Sequence, residues 1–157
     1  MKESLKASSL VLIAVMSIMS IVAMSNPCAS ANKQQFLDNG NGTVSNQVNG
    51  LVWQQTPDWQ TREWSAAITY CTNLTLAGKK DWRLPTLKEL STLIDTTRSA
   101  PAIDTTYFMM TQGMRYWTVS TYDDNPELKC FVYFYNGTKA CSDKSNEFLV
   151  RCVRNAP

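Results

Sequence analysis

The chain has 157 residues, 15 Lys plus Arg against 13 Asp plus Glu, and no histidine. A formal net charge of +2 argues against a general nucleic-acid binder or a strongly basic membrane-surface protein. The missing histidine removes histidine triads, histidine-bound iron and most zinc sites.

The first 31 residues read as a cleavable secretory signal. Lys2 and Lys6 give a positive start, and Leu10 to Met24 is almost wholly apolar. That run is about 15 residues, short of the ~20 that a bilayer-spanning helix needs. The polar break Ser25-Asn26-Pro27 leads to Ala29-Ser30-Ala31, small residues where a signal peptidase reads, so cleavage is expected after Ala31. Acylation of Cys28 is disfavoured by Asn26 and Pro27 before it. Removing Lys2, Lys6 and Glu3 leaves thirteen cations and twelve anions in residues 32–157, enough chain for one domain with a real core. It also removes one of five cysteines and leaves Cys71, Cys130, Cys141 and Cys152 in an oxidising compartment. Four cysteines allow three connectivities, and the residues alone leave them open.

In chain order, Phe36-Leu37-Asp38-Asn39-Gly40-Asn41-Gly42-Thr43-Val44 and Asn49-Gly50-Leu51-Val52-Trp53-Gln54 predict two short strands joined by tight turns, because Asn-Gly favours positive φ. Thr61 is placed as an N-cap for a helix over Arg62–Leu74, with Trp64, Ala67, Ile68, Cys71 and Leu74 on its buried face. Thr86 and Glu89 form a capping box for a second helix carrying Leu87, Leu90, Leu93 and Ile94 and ending near Asp95. Strands are expected at Tyr116–Ser120, Cys130–Tyr135 and Phe148–Arg154, the last with Phe148, Val150 and Cys152 on one face and Leu149, Arg151 and Val153 on the other. Two helices followed by late strands is an α+β pattern. Trp53, Trp64 and Trp82 sit at core spacings, and Arg83 and Arg151 are candidate partners for acids such as Asp81 or Glu89.

The strings Asp38-Asn39-Gly40, Gly50-Leu51-Val52-Trp53-Gln54, Tyr70-Cys71, Asp81-Trp82-Arg83-Leu84-Pro85-Thr86, Tyr116-Trp117 and Val150-Arg151-Cys152-Val153-Arg154, in this order and spacing, resemble the C-terminal domain of Legionella collagen-like protein. The likeness spans residues 36–154. It implies a secreted, periplasmic or surface-exposed bacterial domain of C-type-lectin-like topology, with two helices, a mainly antiparallel sheet and two disulfides. The family's named member is an adhesin for sulfated glycosaminoglycans. No collagen-like Gly-X-Y period appears in this chain. The cysteine frame is similar to that of C-type-lectin-like domains, which implies Cys71–Cys152 enclosing Cys130–Cys141. A two-residue Asn136-Gly137 turn would set Cys130 opposite Asp143 and leave Cys141 diagonal to it, near the ~7 Å bridging limit, so a wider loop is expected.

The segment from Thr111 to Lys129 is long and poorly periodic, and ligand binding is expected there. The candidates are Arg115, Tyr116, Trp117, Tyr122, Asp123, Asp124, Asn125 and Glu127, together with Lys139. Asp124-Asn125-Pro126-Glu127 is similar to the calcium loop of calcium-dependent lectins, since oxygen ligands suit calcium. The Trp-Asn-Asp element that completes such sites is absent between Cys130 and Cys141, so an ordinary acidic turn and no cofactor are expected. Lys79, Lys80, Lys139 and Arg115 are read as scattered surface charge in preference to one anion patch.

Binding without catalysis is the resulting expectation, with a glycan as first ligand and a protein second. The alternatives are an envelope or pilus subunit using aromatics such as Phe131–Tyr135, and a sulfur-oxidase-like enzyme. Formylglycine-generating enzymes share the implied core and use reactive cysteines, whereas all four cysteines here have plausible partners.

Overall fold

The computed structural model describes residues 35–109, 111 and 113–157. The expected leader, its cleavage site and Cys28 lie outside the described residues. The domain is α+β: two helices and two antiparallel sheets, one of four strands and one of three, with two disulfides.

The turn-rich start yields three strands where two were expected: β1 (Phe36–Asp38), β2 (Thr43–Asn46) and β3 (Leu51–Gln54). Asp38 folds the first connection by accepting the Gly40 N–H at 2.8 Å, and Asn46 and Asn49 cap the second in the same way. Helix α1 (Trp64–Asn73) opens later than expected, and Thr61 is not its N-cap. Arg62 and Phe148 exchange backbone hydrogen bonds of 2.9 and 3.0 Å, which holds residues 61–62 extended. Glu63 is the N-cap instead and makes no side-chain cap bond.

Helix α2 (Leu87–Ser91) begins at the expected capping box: Thr86 Oγ1 accepts the Glu89 N–H, and Glu89 Oε2 accepts the Thr86 N–H. It ends at Ser91 and not near Asp95. Leu93 and Ile94 bond back only three residues, and the Asp95 N–H goes to Ala102 O, drawing the chain off the helix axis. Leu90 and Leu93 are buried all the same.

Next come β4 (Arg115–Tyr122), β5 (Asn125–Tyr133) and β6 (Thr138–Asp143), in that order in one sheet. The expected long loop between Thr111 and Lys129 is therefore a hairpin, turning at Asp123-Asp124 and irregular in register beyond Trp117. Between β5 and β6 the wider loop is present. Tyr133 faces Thr138, the connection runs from Phe134 to Gly137, and Cys130 faces Cys141. Gly137 is required there: its φ is +77°, and a Cβ would stand 2.8 Å from Ile94 Cγ2. β7 (Val153–Asn155) pairs with β3 and completes the four-stranded sheet in the order β1-β2-β3-β7.

Buried side chains gather on both faces of the central strands. Alternate residues of the central strands feed two cores: Trp53, Tyr116, Val132, Leu149 and Val153 pack with α2, whereas Val52, Trp117, Phe131, Val150 and Cys152 pack with α1. The strand expected over Phe148–Arg154 is regular only at β7, with Phe148 and Leu149 in isolated bridges before it, but the expected alternation holds: Phe148, Val150 and Cys152 join one core and Leu149 and Val153 the other. The Cys71–Cys152 disulfide ties α1 to the segment entering β7, and Cys130–Cys141 crosses β5 to β6. This is the connectivity that the family resemblance implies. No helix among the described residues is long and apolar enough to cross a membrane.

Candidate functional site

The candidate residues fall into separate places. Tyr116 and Trp117 are fully buried and belong one to each core, so their rings are out of reach of a surface ligand. Trp117 Nε1 donates to Arg62 O at 2.7 Å, which fixes the indole inside. Tyr122, Asp123, Asp124, Asn125 and Glu127 cluster at the exposed β4–β5 tip. Lys139 lines another hollow with Leu87, Lys88, Ser120, Thr121 and Asp123. Lys79 lines a third with Asn39, Asn41 and Trp82, so the cations do not form one patch.

The tip residues do not suit calcium. Glu127 accepts from Lys144 Nζ at 2.7 Å, a contact that lowers the Glu127 pKa and neutralises the charge a cation would need. Asn125 Oδ1 is taken by the Glu127 N–H. No group of three or more acidic or cysteine ligands able to hold a metal occurs among the described residues.

Arg115 stands apart from these. It opens β4 at the surface and lines a cleft of about 130 Å³ with Thr61, Met114, Tyr133, Glu147, Phe148 and Leu149. Its partner across the sheet is Tyr133. The guanidinium lies 5.1 Å from the Tyr133 ring centroid, 5.6 Å from Phe148 and 5.8 Å from Phe131, so three rings hold its orientation. Among the described residues its side chain makes no ion pair and no hydrogen bond. Tyr133 stacks on Tyr135 at 5.7 Å and 21°, and Tyr135 presents 53% of its surface to solvent. Gly113 lets the chain pass close to Tyr135, since a Cβ at that position would stand 2.9 Å from Tyr135 Cα. On the opposite rim Glu147 accepts from Thr61 Oγ1 at 3.3 Å and keeps a free oxygen.

The cleft thus brings together a cation oriented by aromatic rings and a carboxylate acceptor, and the exposed Tyr135 ring stacks on the Tyr133 that lines it. Of the sequence candidates only Arg115 contributes. Tyr133 and Tyr135 were legible as alternate residues of an aromatic strand but were weighed as protein contacts. Glu147 had no signal, because only the Arg62–Phe148 bridge brings it to Thr61.

No curated protein sequence matches the chain. Residues 42–154, from the start of β2 into β7, match the family model of the Lcl C-terminal domain, and the chain belongs to that family.

Proposed function

We propose that this protein is an exported bacterial binding module that recognises a glycan bearing a negative charge, sulfated polysaccharides among them, and acts without catalysis. Family membership points to an extracellular binding module in bacteria. The observation that carries the ligand class is Arg115: an exposed guanidinium with no acidic partner among the described residues, in a cleft with Glu147 and with Tyr133, on which the exposed Tyr135 ring stacks. Arg suits the planar forks of sulfate and carboxylate, tyrosine suits the apolar face of a sugar, and a carboxylate accepts from hydroxyls. A bare anion would use only the first of these.

The helix-to-last-strand and hairpin disulfides support both an oxidising compartment and the C-type-lectin-like topology. They also weigh against a sulfur-oxidase-like enzyme, since all four cysteines outside the leader are bridged. An envelope or pilus subunit is the second reading, favoured by exposed Met109, Met114 and Tyr135.

The test is a glycan array with the oxidised protein at two salt concentrations, with calcium and with chelator. Binding should fall with salt and ignore chelator. Arg115→Gln and Tyr135→Ala should each weaken it roughly tenfold, in line with the loss of a charged hydrogen bond or an aromatic contact. A blank array at high protein concentration, or full binding by Arg115→Gln, would refute the proposal.

A further inference from the structure

The three-stranded sheet has one covered edge and one open edge. On β4 the outward backbone groups are used: Trp117 N–H donates to Leu149 O, Leu149 N–H to Arg115 O, and Val119 N–H to Pro85 O. On β6 they are not. The Cα atoms of Cys130 and Cys141 are 3.8 Å apart, the close spacing of a non-hydrogen-bonded antiparallel pair. The neighbouring pairs Lys129–Ser142 and Phe131–Ala140 therefore carry the ladder bonds. It follows that the N–H and C=O groups of Lys139 and Cys141 and the N–H of Asp143 point away from β5, whereas Asp143 O accepts the Asn146 N–H at 3.1 Å in the turn that ends the strand. Among the described residues, Lys139 and Cys141 have no backbone partner on that side, and no residue of β6 is buried. An accessible edge of this kind is a template for another strand.

The edge also carries a charge order. Lys139 and Asp143 lie on one face of β6 with Cys141 midway between them. Neither forms an ion pair among those found in the domain. Asp143 uses Oδ1 to accept from the Ser145 N–H and hydroxyl and keeps Oδ2 free. If β6 is read against its own reverse about Cys141, Lys139 falls opposite Asp143 of the other copy, twice by symmetry. In that register the outward-pointing residues face outward-pointing residues, so hydrogen-bonding geometry and charge select the same alignment.

We infer that β6 pairs antiparallel with β6 of a second copy of this chain, forming a two-fold dimer with a continuous six-stranded sheet centred on Cys141. Cross-strand Lys139–Asp143 pairs fix the register, as opposite charges do in antiparallel sheets, and closure about the two-fold prevents further growth along this edge. The dimer presents two Arg115 clefts from one body, so it gives a polymeric ligand two points of attachment without any stalk. The inference stands on β6 alone and does not depend on the ligand.

Sedimentation velocity on the oxidised protein tests this, from micromolar to millimolar concentration. The wild type should shift from monomer to dimer with rising concentration. Lys139→Asp sets Asp against Asp143, and Asp143→Lys sets Lys against Lys139. Each variant alone should dimerise roughly tenfold more weakly. Mixed in equal amounts they should form a heterodimer, because every cross-strand pair is then complementary. Circular dichroism and thermal melts confirm that each variant is folded, and the mixture supplies an internal control. A wild type that stays monomeric throughout would overturn the proposal, whether or not β6 captures an extended segment of some other protein. So would a dimer indifferent to both substitutions, or a mixture no more associated than its components.

Discussion

Arg151 is fully buried with no carboxylate beside it. Its Nη1 donates to Gln54 O and Gln55 O at 2.7 and 2.5 Å, its Nη2 donates to Thr111 Oγ1 at 2.6 Å, and its guanidinium lies 5.1 Å from the Phe108 ring centroid. Burial disfavours the charge and lowers the pKa, so carbonyl dipoles and rings do the work an acid does elsewhere. Arg151→Met keeps much of the stem but leaves buried acceptors unmet. It should cost about 3–5 kcal/mol, read as a lower urea midpoint. Asp81→Asn, which takes the charged partner from the buried Arg154, should lower the midpoint by less than Arg151→Met, because the carboxylate it replaces is itself exposed. The sequence suggested acids for Arg83 and Arg151, and the outcome is divided. Arg83 meets Glu89 at 2.7 Å, whereas Asp81 goes to Arg154. Alternation places Arg151 and Arg154 on opposite faces, but it does not say which face an acid can reach.

Helix α2 shows how a short element is kept in place by its first turn. Glu89 accepts from Arg83 Nη1 and Nη2 at 2.8 and 2.7 Å and from the Thr86 N–H, and these contacts, the Arg83 bonds foremost, pull its pKa from 4.5 to about 2. Because the folded value lies below the unfolded one, the stabilisation is complete above pH 4.5 and is lost as pH falls toward 2. Glu89→Gln should be less stable at neutral pH, and its melting temperature should fall less steeply through that acid window. A Glu89→Gln profile parallel to the wild type would refute this. The capping box was legible because its spacing is local, while the end of α2 was not, because it depends on Asp95 meeting Ala102 seven residues further on. The β4–β5 hairpin was missed for a related reason. Tyr116–Ser120 and Cys130–Tyr135 were expected as strands, but the irregular register beyond Trp117 hides the extension of β4 to Tyr122 and its pairing with the start of β5.

For the whole molecule, the two disulfides act on loops of different size. Cys71 and Cys152 are 81 residues apart, Cys130 and Cys141 only 11. In the chain-entropy model the first contributes about 4–5 kcal/mol and the second about 3. Replacing Cys71 and Cys152 together by Ala should therefore lower the urea unfolding free energy more than replacing Cys130 and Cys141. Equal losses would mean that the unfolded chain is not the main term. The capping box and the buried tryptophans were legible from spacing, and the cysteine pairing from the family resemblance. The Arg115 cleft was not, since its walls come from β4, β5 and the Glu147–Leu149 segment, which meet only once the sheets are assembled.

The Cys71–Cys152 bond has a mechanical corollary. A pull on the two ends of the domain travels from β1 through α1 to Cys71, crosses the sulfur atoms, and leaves through Cys152 and β7. The 81-residue span between them, roughly 280 Å of contour when extended, lies outside the line of tension. That span holds the whole β4–β5–β6 sheet, with Arg115, Tyr133 and Tyr135. A load applied between the two termini would therefore strain β1, α1 and β7 and leave the β4–β5–β6 sheet folded.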